Sequence, residues 1–68
     1  MKKLKPLERA IEFAGGQSAL ARALGIHQTS VWGWLKERKG VVPAKFVEAV
    51  SEAVDGKVTP QELRPDLF

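Results

Sequence analysis

A chain of 68 residues has room for one small domain, and at this size only about 60% of the unfolded surface is buried on folding, which leaves no area for a second core, a large substrate cleft or a membrane-embedded bundle. Hydrophobic residues make up 44% and charged residues 28%, an ordinary globular balance, and with no cysteine and one histidine neither disulfides nor a metal site are expected. The net charge of +3 is uneven: +2 over residues 1–16, +4 over 17–45 and −3 over 46–68. A basic middle and an acidic end suit a molecule that turns one face to a polyanion, though the same imbalance also suits a merely solvated surface.

Glycine and proline divide the chain into short helical pieces. Pro6 fits the first turn of a helix, where its missing N–H costs nothing. Leu7, Ala10, Ile11 and Ala14 then recur at i, i+3, i+4 and i+7, and Gly15-Gly16 stops the segment. A second helix, Gln17 to Leu24, carries Leu20, Ala21 and Leu24 on one face and ends at Gly25. A third, Gln28 to about Glu37, places Val31, Trp34 and Leu35 inward, with Gly40 closing a basic turn. Pro43 opens a fourth with Phe46, Val47, Val50, Ala53 and Val54 inward, ending at Asp55-Gly56. Thr59-Pro60-Gln61-Glu62 reads as an N-cap, a proline and one helical turn reaching Leu63. Lys57 and Val58 form at most a lone extended pair, and Pro65 leaves Asp66-Leu67-Phe68 as a tail. The expectation is an all-α fold of five helices in a single domain over residues 1–68.

No apolar run approaches the roughly 20 residues that span a bilayer. Met1-Lys2-Lys3 is basic but no apolar stretch follows it, so no signal peptide is read there and a cytoplasmic protein is expected. An enzyme is disfavoured, because the sequence supplies no paired carboxylates, no nucleophile–base pair and no phosphate-cradling glycine loop; Gly15-Gly16 is a helix stop.

The informative stretch runs from Gln17 to Lys36. Two short helices meet at a tight turn on Gly25, with the small Ala21 at the place where they cross, and Ile26, Val31 and Trp34 pin the second helix to the first. These are the requirements of a helix-turn-helix, whose second helix is presented to the DNA major groove.

These twenty residues resemble the helix-turn-helix of the phage lambda-type Cro and CI repressors, at Gln17, Ala21, Gly25, Gln28, Val31 and the apolar position filled by Trp34. Val42-Pro43-Ala44, Gly56-Lys57-Val58-Thr59 and the run Glu62 to Phe68 extend the likeness to the Cro-like proteins of lambdoid prophages and the related YdaS-like group, from about Leu7 onward. No strand pair is visible, so the all-helical branch, a five-helix lambda-repressor-like domain, fits best. The resemblance implies a sequence-specific repressor of phage or prophage origin that occupies double-stranded operator DNA. It also implies a homodimer, here expected to be weak and strengthened on DNA, with Leu67, Phe68 or apolar residues of the fourth helix at the interface. An antitoxin-like or regulatory module that docks on a protein partner is the alternative.

Carried onto this chain, the recognition positions fall on His27, Gln28, Thr29, Trp32, Gly33 and Lys36. Gln28 can bond adenine or bridge to phosphate, Thr29 can touch a thymine methyl or phosphate, and Lys36 can reach guanine or backbone. His27 is either a base reader or an N-cap or solvated residue. Gln17 resembles the glutamine that contacts phosphate and buttresses the recognition helix. Arg22, Arg38, Lys39 and Lys45 are further candidates for phosphate contact, with Arg38-Lys39 also readable as a solvated turn and Lys45 as a solvated cation. Two positions depart from the pattern. Trp32 stands where small polar residues are usual, and could lie along the groove, cover Lys36 or meet a partner subunit. Gly33 costs about 1 kcal/mol relative to alanine inside a helix, which close approach to DNA or a protomer would offset.

Overall fold

The computed structural model describes residues 5–68, and the basic start of the chain, with Lys2 and Lys3, lies outside the described residues. Five helices follow in the expected order: α1 Pro6–Ala14, α2 Gln17–Leu24, α3 Gln28–Lys36, α4 Ala44–Ala53 and α5 Pro60–Leu63. Among the described residues there is no strand; Lys57 and Val58 lie in a loop, and Val58 is fully buried.

Local chemistry sets most boundaries. Pro6 begins α1 at its first position, and the Glu8 side chain accepts from the Lys5 N–H at 2.9 Å. Gly15 closes α1 in the left-handed region. Thr59 caps α5 in a reciprocal box: its hydroxyl accepts from the Glu62 N–H, and Glu62 accepts from the Thr59 N–H at 3.0 Å. Pro43 is the N-cap of α4 rather than its first helical residue, and its carbonyl accepts from the Phe46 N–H. The structure also puts Lys39 and Asp55 at φ 54, each just ahead of a left-handed glycine, so two consecutive residues carry each reversal.

Every helix sends its apolar stripe to one core. Leu7 and Ala10 come from α1, Leu20 and Ala21 from α2, Val31 and Trp34 from α3, Val47 and Val50 from α4 and Leu63 from α5, with Val54 just past α4. The loops add Val42 and Val58, both fully buried. Trp34 stacks at a tilt on Phe46, ring centroids 5.3 Å apart, tying α3 to α4.

Ion pairs sit on α1, α5 and the tail. Arg9 binds Glu62 at 2.8 Å and reaches the Lys57 carbonyl, while Arg64 grips Asp66 with two nitrogens and donates to the Val42 carbonyl. The Glu62 carboxyl is held below its ordinary range by the Thr59 backbone N–H first and by Arg9 second; that of Asp66 is lowered mainly by Arg64. A carboxylate whose folded pKa is depressed adds stability above its unfolded pKa and loses it as pH falls through the folded value. Thermal melts in mild acid should therefore show a stability loss beginning in the ordinary carboxylate range, and Glu62→Gln should flatten part of that slope.

Candidate nucleic-acid interface

The turn between α2 and α3 is built around Gly25, at φ 72. The Gly25 N–H donates to the Ala21 and Arg22 carbonyls, and the Ile26 N–H reaches back to Ala21 at 3.0 Å, which uses up carbonyls that α2 would otherwise leave open. Ala21, 2% exposed, lies within the core, as its small side chain at the crossing requires. Val31 and Trp34 are buried, so α3 is fixed to the body by one face.

The opposite face is bare. His27, Gln28, Thr29, Ser30, Trp32 and Lys36 are exposed and Gly33 is half-buried. Gln28, Trp32 and Lys36 follow at four-residue spacing, with Thr29 and Gly33 one position along, so they form one stripe. At 1.5 Å per residue that stripe is about 12 Å long, and an α-helix, about 10–12 Å across with its side chains, fits the roughly 12 Å width of the DNA major groove. Trp32 is 49% exposed, although indole is a large apolar group.

His27 is the N-cap residue of α3, yet its side chain makes no capping bond. Gly16, the N-cap of α2, has no side chain to offer. The first N–H groups of α2 and α3 thus receive no side-chain cap, and uncapped helix starts favour anionic ligands. Gln17 is half-buried at the first position of α2, and Arg22 is exposed toward its end. Arg38 and Lys39 are exposed in the turn after α3, and the exposed Lys45 puts its Nζ 5.3 Å from the centre of the Phe46 ring. Among the described residues none of Arg22, Lys36, Arg38, Lys39 and Lys45 has an ion-pair partner.

Two neighbours of this surface escaped the sequence reading. Ser18 links α2 to α3: its hydroxyl donates to Gln28 Oε1 at 2.7 Å, one residue along from Gln17. Lys5 Nζ donates to the Lys39 carbonyl at 3.2 Å, and Lys5, Glu8, Leu35 and Lys36 line a shallow open recess at the end of α3. The position of Ser18, next to a candidate glutamine at the start of a helix, was the available signal.

A Cβ built on Gly33 would come 3.3 Å from the Glu37 carboxylate, the mobile end of a side chain, and would meet no backbone that blocks it. Gly33→Ala should thus raise stability, by about 0.5–1 kcal/mol from helix propensity, as read in urea unfolding. The glycine gains nothing from the chain's own packing.

Residues 7–68 match the family model described as "Bacterial toxin YdaS". The chain is 42% identical over 60 residues to "Putative transcriptional regulator YdaS" of Escherichia coli (strain K12), covering 88% of this chain and 60% of that protein's length. In three dimensions it is similar to the Cro protein from "putative prophage element Xfaso 1" in Xylella fastidiosa strain Ann-1, with a TM-score of 0.87, 35% identity and coverage of 96% of this chain and 97% of that one. No helix among the described residues is long and apolar enough to cross a membrane. The exposed α3 edge therefore stands on an all-helical, Cro-like helix-turn-helix fold, and the chain belongs to the YdaS family.

Proposed function

We propose that this chain is a sequence-specific DNA-binding regulator of transcription, of the Cro repressor type, which places α3 in the major groove of operator DNA. The carrying observation is the bare α3 stripe, anchored from behind by Val31 and Trp34. In this reading Gln28, Thr29, Trp32 and Lys36 meet base edges, His27 lies at the groove entrance, and Gly33 lets the helix backbone approach closely. Gln17, Arg22, Arg38, Lys39 and Lys45 meet phosphates, and Lys5 joins them. The domain is the whole of residues 1–68, it acts in the cytoplasm at the nucleoid, and it carries no catalytic role. Two copies read a pseudo-palindrome whose half-sites lie about 34 Å apart, pairing weakly alone and more tightly on DNA.

Selection of bound duplexes from a random pool at a stated salt concentration tests this. The expected outcome is an enriched inverted repeat; a pool that stays random would refute it. A second reading, an antitoxin-like or regulatory module docking on another protein, draws on the exposed indole of Trp32; the family's description speaks of a toxin, not an antitoxin. Capture of a co-encoded protein by a chain with no DNA affinity would favour it.

A further inference from the structure

Trp32 is the one large apolar side chain on the bare stripe of α3, 49% exposed, with Gln28 one turn before it and Lys36 one turn after. We infer that its indole is a specificity-determining group, which packs on the C5 methyl of a pyrimidine in the major groove so that the site reads a thymine by its methyl. The inference rests on the proposed DNA-binding function and names one feature of the base sequence that the site selects.

The molecule itself gives this indole no covering partner. Trp34, two residues on, is 5% exposed and stacks on Phe46. Among the described residues no aromatic ring and no cation lies over Trp32, so Lys36 does not cover it. Gly33, next along the stripe, adds no side chain that could do so.

An indole has two apolar faces and a single polar atom, Nε1–H, which only donates. Its gain from a contact therefore comes mainly from apolar surface. Base edges in the major groove offer hydrogen-bonding groups at every pair and one apolar group, the thymine methyl. The place of Trp32 in α3 suits that group. Helical side chains lean toward the N-terminus of their helix, which puts the indole over the turn of Gln28 and Thr29. The N-terminal part of a recognition helix is the part that meets base edges.

The test starts from the duplex selected by the wild-type protein, with its thymines replaced one at a time by deoxyuridine. That change deletes the methyl and keeps every hydrogen-bonding group. At one thymine in each half-site the wild-type protein should lose about fourfold in affinity, the worth of burying one methyl-sized group. Trp32→Ala, which opens no core, should bind the thymine and uracil duplexes equally there, and Trp32→Phe should keep a preference for thymine. Cytosine and then 5-methylcytosine at the same place separate the methyl from the pairing. The added methyl should recover about fourfold for the wild-type protein and nothing for Trp32→Ala. Irradiation of a complex carrying 5-iododeoxyuridine there should cross-link the base to Trp32; a cross-link to another residue, or none, overturns the inference. Equal binding of thymine and uracil duplexes by the wild-type protein at every position also overturns it while the DNA-binding function stands, since the indole then lies on sugar or meets a second protein. A thymine preference that survives in Trp32→Ala does the same, because another residue such as Thr29 then reads the methyl. A wild-type protein that selects no duplex overturns the function and this inference together.

Discussion

Trp34→Ala should bring the protein to the edge of unfolding at room temperature, whereas Trp32→Ala, two residues earlier on the same helix, should leave its melting curve nearly unchanged. Trp34 is 5% exposed and its ring meets Phe46, so truncation opens a cavity where α3 joins α4. Losing a buried tryptophan costs about 3–5 kcal/mol. A domain of this length holds in total about 3–10 kcal/mol, at the usual 0.05–0.15 kcal/mol per residue. The loss is thus comparable with the whole. Trp32 is half exposed and alanine is the better helix former, so its removal has little to destabilise. Urea unfolding followed by circular dichroism separates the two. Equal losses would mean that α3 is turned on its axis relative to the face described above.

Replacing Arg22, Arg38, Lys39 and Lys45 together by glutamine should weaken DNA binding on the order of a thousandfold at 0.1 M salt, through the counterions that each phosphate contact releases. The slope of log affinity against log salt should flatten by about 1 for each phosphate-binding cation removed from the chain. Stability should hardly move, because these side chains are exposed and, among the described residues, none is in an ion pair. Each cation with an unaltered slope when replaced singly is a solvated residue rather than a phosphate contact. Lys45 is the informative case, since its ammonium already has the Phe46 ring as a neighbour.

The helices were legible because their signals are local. Pro6, Gly15-Gly16, Gly25 and the Thr59-Pro60 pair are each read from a few adjacent residues, and the apolar stripes repeat within a turn or two. The α2–Gly25–α3 turn follows from those local signals, while the recognition positions Gln28, Thr29, Trp32 and Lys36 rest on the resemblance to the Cro and CI helix-turn-helix. What escaped depends on residues that meet only after folding. Val42 and Val58 lie outside any helix, so no period marks them as core, yet both are fully buried. Arg64 reaching the Val42 carbonyl is a contact across 22 residues. The Lys57 Nζ sits 5.3 Å from the centre of the Phe13 ring, far from it in sequence. The Ser18 hydroxyl reaching Gln28 joins two residues ten apart, a contact that only the folded turn brings about. The left-handed backbone of Lys39 and Asp55 escaped because glycine next door offered the obvious turn residue, while the actual reversals take two residues each.

In the proposed function α3 is the element that meets DNA. Titrating the selected duplex into labelled protein and following backbone amides tests it most directly. The prediction is that the largest, saturating shifts fall between His27 and Lys36, with smaller ones near Gln17, Arg38 and Lys45, while the acidic stretch from Asp55 to Glu62 stays still. Saturating shifts centred on α4 or the tail, with α3 silent, would contradict it.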